Sequence, residues 1–250
     1  LPRMVSGEVV GALGMTEPGA GSDVQSIKTN AVKDGDNWIL NGSKIFITNG
    51  IHADLVVVAA ITEPGLGAKG ISLFLVDTKL NGFEKSKKID KIGQHSSDTA
   101  LLFFQDICLD KSALLGTLNK GFIIMMEELA RERLGIAAQA IAAAEGALEL
   151  TVEYVKERKT FGETLATHQN TRFKLADVKT DIALNRALYE KASDDYARGS
   201  LTADDAAMLK LASCEMQCRA IDDCLQLFGG YGYITEYPIS RFFLDARVQR

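Results

Sequence analysis

The spacing of hydrophobic residues along this chain changes near residue 117. From about residue 8 to about residue 110, short runs such as "LVVVAAI" and "ISLFLVD" alternate with turn sequences such as "DGDN". Hydrophobic and β-branched runs of this length, ended by glycine, proline, asparagine or aspartate, are typical of β-strands. We therefore expect residues 1–116 to form a β-rich domain, an antiparallel barrel or sandwich.

From about Leu118 onward, long stretches rich in Ala, Leu, Glu, Lys and Arg place hydrophobic residues three and four positions apart. This spacing predicts three long helices and the start of a fourth, with breaks near "TFGETLATHQ", "RGSLTADD" and "FGGYGYITEYP". We expect residues 117–250 to form an antiparallel helical bundle that is truncated at its end. Because the β block precedes the helical block without alternation, we predict an α+β multidomain chain and not a doubly wound sheet.

Composition narrows the classes of partner. Of the 250 residues, 46% are hydrophobic and 24% are charged, and the formal net charge is -5. The acidic balance argues against nucleic acid or a membrane surface as a partner. No hydrophobic run approaches the roughly 20 residues that span a bilayer, and "LPRMVSGEVV" lacks the apolar core of a targeting segment. The four cysteines suit a reducing compartment.

Some patterns resemble functional motifs without the context that those motifs need. "GLGAKG", residues 65–70, matches the dinucleotide pattern G-x-G-x-x-G, but the next residues predict a strand where a phosphate-binding helix should begin. The histidines are widely separated, and Cys214 with Cys218 are typical of one buried helix face. We therefore predict a glycine-rich hairpin at residues 65–70 and no metal site.

Two other stretches offer groups that suit a ligand. "MTEPGAGSDV", residues 15–24, is a turn with backbone N–H groups and the hydroxyls of Thr16 and Ser22. "KIFITNG" places Phe46 and Thr48 on one face of a predicted strand, because side chains alternate with a period of two. Taken singly, the first stretch is more typical of a plain turn than of a ligand-binding loop, and Phe46 is more typical of a core residue.

Four motifs in order make the chain recognisable: "TEPGAGSDV", "LNGSKIFITNG", "ERKTFGETLATHQ" and "QLFGGYGYITEYPISRFFLDARVQR". Together they resemble the acyl-CoA dehydrogenase family of flavoenzymes. The resemblance implies that the β domain is the family's middle domain and that the helices are its C-terminal bundle. It also implies a fragment that lacks the N-terminal helical domain and the last part of the C-terminal domain, and it implies FAD as cofactor.

The resemblance assigns roles to individual residues. Thr48 would donate to flavin N5, Phe46 would stack on the isoalloxazine ring in place of a tryptophan seen in many members, and Ser22 would face the thioester ligand. The remaining contacts to the flavin ring in the same subunit would come from Leu13, Met15 and Thr16. Groups that reach the FAD of a neighbouring subunit, in a homodimer or homotetramer, would be Arg158, Phe161, Gln169, Gln226, Gly229 and Gly230.

The catalytic base is implied by "RERL". In the long-chain and isovaleryl branches of the family, a glutamate on the first helix of the C-terminal bundle removes the α-proton, and here that position is Glu132. Arg133, the next residue, would orient the CoA part of the ligand, and Gly135, Ala137 and Ala138 would keep a helix face narrow for an acyl chain. The alternative is that Glu132 is an ordinary surface residue, because charged residues are common on exposed helix faces.

The implied reaction is flavin-dependent α,β-dehydrogenation of an acyl-CoA to trans-2-enoyl-CoA, with electron-transfer flavoprotein as electron acceptor. A location in the bacterial cytoplasm or the mitochondrial matrix would fit. Two alternatives stay open at this point: an acyl-CoA oxidase of the same fold, or a catalytically silent relative that acts as a binding or scaffold protein.

Overall fold

The computed structural model describes residues 2–250 and divides the chain into two compact units. The first contains residues 2–91 and 95–127, and the second contains Ile92–Gln94 and Glu128–Arg250. The division therefore falls inside the first long helix of the chain. Each unit has its own hydrophobic core.

The first unit is built on one eight-stranded sheet. Its elements are a short helix α1 (Pro2–Val5) and the strands β1 (Gly11–Gly14), β2 (Asn30–Asp34), β3 (Asn37–Thr48), β4 (Leu55–Ile61), β5 (Ile71–Asp77), β6 (Phe83–Lys85), β7 (Thr99–Leu109) and β8 (Leu114–Leu115). The strand order is β6-β7-β3-β2-β4-β5-β8, and β1 pairs with β4. Most pairs are antiparallel, whereas β4 runs parallel to β1 and to β2. The predicted β domain, an antiparallel barrel or sandwich, is confirmed as a domain built on an antiparallel-rich sheet that also contains two parallel pairs.

The core of this sheet follows the period of two that the sequence shows. Along β3, Trp38, Leu40 and Lys44 are buried at alternating positions, and Ile47 is buried after the register shift that follows Lys44. The Trp38 ring meets the Phe74 ring edge to face, with 5.5 Å between centroids. Residues 65–70 form a glycine-rich turn that leads into strand β5 and not into a long helix, so no helix N-terminus is available there for a pyrophosphate.

The second unit is helical. It contains most of α2 (Gly121–Glu157), a small hairpin of β9 (Lys159–Thr160) and β10 (Glu163–Thr164), α3 (Gln169–Ala197), α4 (Ala203–Phe228) and α5 (Pro238–Ala246). Three long helices followed by a shorter fourth agree with the spacing of hydrophobic residues. Among residues 2–250, no helix is long and apolar enough to cross a membrane, and no cluster of side chains has the composition of a metal site.

Small residues on one face of α2 allow the bundle to pack closely. Ala137, Ala140, Ala144 and Ala147 are fully buried. An ion pair between Arg186 of α3 and Glu145 of α2 joins two helices through two hydrogen bonds, Nε to Oε1 at 2.8 Å and Nη2 to Oε2 at 2.5 Å. Because this pair is partly exposed, it adds less to stability than the buried alanine face does.

Candidate functional site

The loop of residues 15–22 is held against strand β3 by its carbonyl groups. The Ile45 N–H donates to the Thr16 carbonyl at 2.9 Å, and Lys44 Nζ donates to the Met15 carbonyl at 3.0 Å. Glu17 and Ala20 close the turn by exchanging backbone hydrogen bonds of 3.0 and 3.1 Å. The N–H groups of Met15 and Thr16 and the Thr16 hydroxyl have no such partner within residues 2–250. They are donors left for another molecule.

Phe46 is exposed and its backbone is unusual. The residue is 63% exposed, and its φ angle is 58°. A bulge shifts the register between β3 and β7 from Lys44 to Ile47. An aromatic residue with positive φ is strained, and such strain is concentrated at ligand-binding sites. The bulge therefore keeps this large ring out of the core and on the surface beside the loop.

Thr48, two residues further along β3, is also exposed. Its hydroxyl has no hydrogen-bond partner in the part of the chain that the structure describes, and Thr48 and Leu13 line one groove of about 650 Å³. Leu13 itself is 39% exposed. The strand ends therefore bring an aromatic face and several free donors to the same edge of the first unit. We call Met15, Thr16, Phe46 and Thr48 the Phe46 face.

Ser22 is exposed at the far end of the loop. It makes no hydrogen bond within residues 2–250, so its predicted contact with a thioester ligand stays a prediction.

In the second unit, one pocket of about 450 Å³ contains Arg158, Gln226, Gly229 and Gly230. The Arg158 guanidinium lies over the Tyr231 ring, 5.3 Å from its centroid, and it forms no ion pair with any residue of the described range 2–250. A Cβ atom added to either glycine would meet nothing within 4 Å. An unpaired guanidinium beside open backbone suits an anionic group such as a phosphate. We call this cavity the Arg158 pocket.

Aromatic residues form the wall of the Arg158 pocket. Tyr154, one helical turn before Arg158, stacks on Phe228 with 4.1 Å between ring centroids and donates from its hydroxyl to the Phe228 carbonyl at 3.3 Å. Burial raises the pKa of the Tyr154 hydroxyl, and the nearby Arg158 charge opposes this only in part. The tyrosine is therefore a neutral donor and a rigid support at neutral pH.

Phe161 and Gln169 do not line the Arg158 pocket. Phe161 lies in the β9–β10 hairpin with φ at 54° and is 99% exposed. The edge of its ring faces His168 at 6.3 Å, and Gln169 is an exposed residue at the start of α3. Both residues are exposed, and their predicted contacts with a ligand stay predictions.

Glu132 is an exposed residue of α2 and is not the partner of the arginine before it. Arg131 pairs with Glu128 at 2.9 Å, and Glu132 forms no ion pair with any of residues 2–250. Arg133 is half-buried. The carboxylate of Glu132 is therefore free to act on another molecule.

The narrow face expected after Glu132 is only partly present. Gly135 is exposed, and a Cβ atom there would meet nothing within 4 Å. Ala137, however, is fully buried and packs with Leu134 and Leu209 in the bundle core. The expectation for Ala137 is therefore wrong, because a residue two positions after Gly135 lies on a different side of the helix.

Sequence reasoning missed the groups that support these two sites. Lys44 and Glu17 form a buried ion pair beneath the Phe46 face, and Tyr154 and Tyr231 frame the Arg158 pocket. The sequence contains one signal for the lysine: by the period of two, Lys44 points to the same side of its strand as Trp38 and Leu40, which is the buried side. The signal for Tyr154 is its position four residues before Arg158, because residues four apart share a helix face.

Comparisons with known proteins identify the family of this chain. Two family models match it: "Acyl-CoA dehydrogenase, middle domain" over residues 12–107 and "Acyl-CoA dehydrogenase, C-terminal domain" over residues 119–250. The chain therefore belongs to the acyl-CoA dehydrogenase family, as the ordered motifs indicated.

The relatives are similar over the whole chain. The mitochondrial long-chain specific acyl-CoA dehydrogenase of Sus scrofa is 50% identical over 251 residues, which is 100% of this chain and 58% of that protein. The crystal structure of an acyl-CoA dehydrogenase from Geobacillus kaustophilus has a TM-score of 0.97 at 45% identity and covers 99% of this chain and 66% of that one. A glutaryl-CoA dehydrogenase from Mycobacterium smegmatis, solved in complex with FADH2, has a TM-score of 0.94 at 31% identity, covering 99% and 63% of the two chains. This chain thus spans just over half the length of the porcine relative.

Proposed function

We propose that the protein carrying this chain is an FAD-dependent acyl-CoA dehydrogenase that converts an acyl-CoA to its trans-2-enoyl-CoA. The observation that carries the proposal is the Phe46 face, where an exposed aromatic ring stands beside N–H and hydroxyl donors that have no partner in residues 2–250. Family membership and the relative in complex with FADH2 support the choice of flavin as the occupant.

The donor set of the Phe46 face fits a flavin ring. An isoalloxazine presents a flat π surface, carbonyl oxygens and ring nitrogens that accept hydrogen bonds. The Phe46 ring supplies a stacking surface, and Met15, Thr16 and Thr48 supply donors for the acceptors. When bound, the flavin supplies the acceptor for the hydride that leaves the β-carbon of the substrate. The protein's own task at this face is to hold that ring in a fixed orientation.

The Arg158 pocket fits the diphosphate part of the same cofactor. Its guanidinium can form paired hydrogen bonds with phosphate oxygens, and the two glycines let a ligand approach the main chain. Following the family, we propose that this pocket, with Phe161 and Gln169, holds the FAD of a neighbouring subunit in a homodimer or homotetramer. The almost complete exposure of Phe161 supports this, because an aromatic ring in open solvent gains from a partner's surface.

Glu132 is the proposed base. Its carboxylate would accept the proton from the α-carbon of the thioester, while Arg133 would bind the CoA part of the substrate. Closure of the site over a bound acyl chain would remove water and raise the proton affinity of the carboxylate. The presence of a glutamate at this position, and the similarity to a long-chain specific relative, support our proposal that the protein belongs to the long-chain and isovaleryl branches.

The remaining parts of the proposal concern the electron acceptor and the cellular location. Electron-transfer flavoprotein is the proposed electron acceptor, and the mitochondrial matrix or the bacterial cytoplasm is the proposed location. Membership of the family supports both proposals.

Anaerobic titration of the purified whole protein with acyl-CoAs of increasing chain length tests the proposal. We expect bound FAD, and bleaching of its absorbance near one equivalent of a preferred acyl-CoA. A protein that contains FAD but is not reduced by any acyl-CoA would contradict the proposed reaction. Hydrogen peroxide formed stoichiometrically in air would favour an oxidase.

A further inference from the structure

A fully buried lysine lies directly beneath the Phe46 face. The Lys44 side chain is 0% exposed and that of its partner Glu17 is 6% exposed, with 2.8 Å between Nζ and Oε1. Burying a charged group is costly unless it is paired and hydrogen-bonded. A well-packed hydrophobic pair often serves stability as well as a buried ion pair does. The presence of this pair therefore calls for a role besides stability.

The two side chains connect three segments of the first unit. Lys44 Nζ donates to the Met15 carbonyl at 3.0 Å in addition to Glu17. The Glu17 carboxylate also accepts the Lys28 N–H at 2.6 Å and the Thr29 N–H at 3.0 Å. Burial tends to raise the pKa of Glu17, but hydrogen bonds led by that from Lys44 outweigh it, so the pKa is lowered and the carboxylate is ionised at neutral pH.

The orientation of the loop follows from these contacts. The Met15 carbonyl accepts from Lys44, so the Thr16 N–H, which belongs to the same trans peptide group, points away from Lys44. The Met15 N–H also has no backbone partner within residues 2–250. On the strand side, the bulge begins at Lys44 and places Phe46 on the surface two residues later. One buried ammonium group thus holds the loop donors and the aromatic ring in register with each other.

We propose that Lys44 and Glu17 are positioning residues that orient the Met15 and Thr16 donors and the Phe46 ring toward the isoalloxazine of a bound flavin. Neither residue touches the cofactor. Lys44 acts through the Met15 carbonyl, and Glu17 acts by keeping the ammonium group charged and fixed. This inference rests on the proposed function, because the flavin is the ligand that the face is taken to hold.

The decisive variant is the double substitution Glu17→Gln/Lys44→Met in the whole protein. It leaves no unpaired charge in the core, and the single carbonyl oxygen of glutamine can still accept from one of the two N–H groups, Lys28 or Thr29, that donate to different oxygens of Glu17. We therefore expect it to fold, whereas Lys44→Met alone leaves a buried carboxylate without its cation. The matched control is Leu109→Ala, which creates a cavity at the other end of β3, where Leu109 pairs with Trp38.

Fluorescence titration of the apoprotein with FAD is the first measurement. We expect the double variant to bind FAD at least 10-fold more weakly than wild type and to show a shifted flavin absorption spectrum. Leu109→Ala should lower the melting temperature. Its affinity for FAD should stay within about 2-fold of wild type, and its flavin absorption spectrum should be unshifted. A double variant with wild-type affinity and spectrum, or a control with the same losses as the double variant, would overturn the proposal.

Amide hydrogen exchange of the apoprotein is the second measurement, and it does not depend on flavin. The Ile45 amide, which donates to Thr16, should exchange at least 10-fold faster in the double variant relative to the Leu40 amide of the same strand. In Leu109→Ala, the ratio between these two amides should stay at its wild-type value. If wild type binds no FAD, the proposed function fails, and an unchanged exchange ratio would additionally reject the positioning role.

Discussion

Phe46 combines an unfavourable backbone angle with a side chain that suits a ligand. Its φ angle of 58° is easy for glycine and unfavourable for any residue with a Cβ. The aromatic ring, in contrast, is what the proposed flavin contact needs. Strained residues of this kind occur at functional sites, where the side chain acts on a ligand. Phe46 has both the strained backbone and the exposed aromatic ring.

Two substitutions at Phe46 separate fold from function. We expect Phe46→Gly to be more stable than Phe46→Ala by about 1 kcal/mol, because only alanine keeps the strain of a positive φ. Both variants should bind FAD more weakly by about 0.5–1.5 kcal/mol through loss of ring stacking. Urea unfolding and FAD titration measure the two quantities. An alanine variant as stable as the glycine variant would show that the backbone is not strained.

Glu132 can be tested against a neighbour on the same helix. In Glu132→Gln, acyl-CoA should still bind and perturb the flavin spectrum, while flavin reduction slows by roughly 10² to 10⁴ because the amide cannot accept the α-proton. The control is Glu128→Gln, an exposed glutamate one turn earlier that pairs with Arg131. Stopped-flow absorbance checks both. Normal reduction by Glu132→Gln would identify Glu132 as a surface residue.

At the scale of elements, strand β3 is a central strand of the sheet in the first unit. It pairs with β2 on one side and with β7 on the other, and its register with β7 shifts twice, near Gly42 and before Ile47. The second shift produces the exposed Phe46, and the first is permitted by a glycine. Bulges in a sheet redirect side chains, and here one strand uses a bulge to present its end to a ligand.

Gly42 shows why that first shift requires glycine. Its φ is 144°, and a Cβ atom there would lie 2.4 Å from Thr29 Oγ1 and 2.6 Å from Thr29 Cα. We therefore expect Gly42→Ala to destabilise the protein by more than about 3 kcal/mol, since backbone must move as well as adopt a strained angle. Differential scanning calorimetry gives the comparison with wild type.

Gly35 is the matched control for Gly42. It also has a positive φ, 58°, but a Cβ atom there would meet nothing within 4 Å. Gly35→Ala should therefore cost only about 1 kcal/mol, the conformational part alone. Equal losses at the two positions would mean that the close approach of Gly42 to Thr29 has no energetic weight.

At the scale of the whole molecule, the proposed cofactor would be shared between subunits. Arg158→Gln should weaken FAD binding by about 10- to 100-fold, the value of hydrogen bonds to a charged group, without changing the oligomeric state. Lys156→Gln is the control, because Lys156 lies on the same helix but pairs with Glu153 at 2.7 Å. Light scattering and FAD titration measure the two outcomes.

Hybrid oligomers distinguish a shared site from one within a single subunit. When Arg158→Gln subunits are mixed with Phe46→Ala subunits, a shared site combines the intact Phe46 of one with the intact Arg158 of the other. Half the sites of a hybrid dimer should then bind FAD with wild-type affinity. If the two ends of FAD are held by one subunit, every site retains one defect and no such recovery occurs.

Much of this architecture was predictable because its signals are local. The change of hydrophobic period near residue 117 depends on whether neighbouring side chains alternate or repeat every turn, and the structure confirms strands followed by helices. The proposed ligand residues are also local, since each lies in a short motif of glycine, hydroxyl and charged residues. Such motifs carry their chemistry with them, so the sequence by itself pointed to the family.

Only the tertiary structure decided which side chains support those motifs. The Glu17–Lys44 pair joins residues 27 positions apart, and Phe46 is exposed because β3 shifts its register against β7. Ala137, placed by sequence reasoning beside a ligand, lies in the bundle core instead. Charge burial, register and the choice of helix face are determined by packing between segments that are distant in sequence, and no local pattern contains that information.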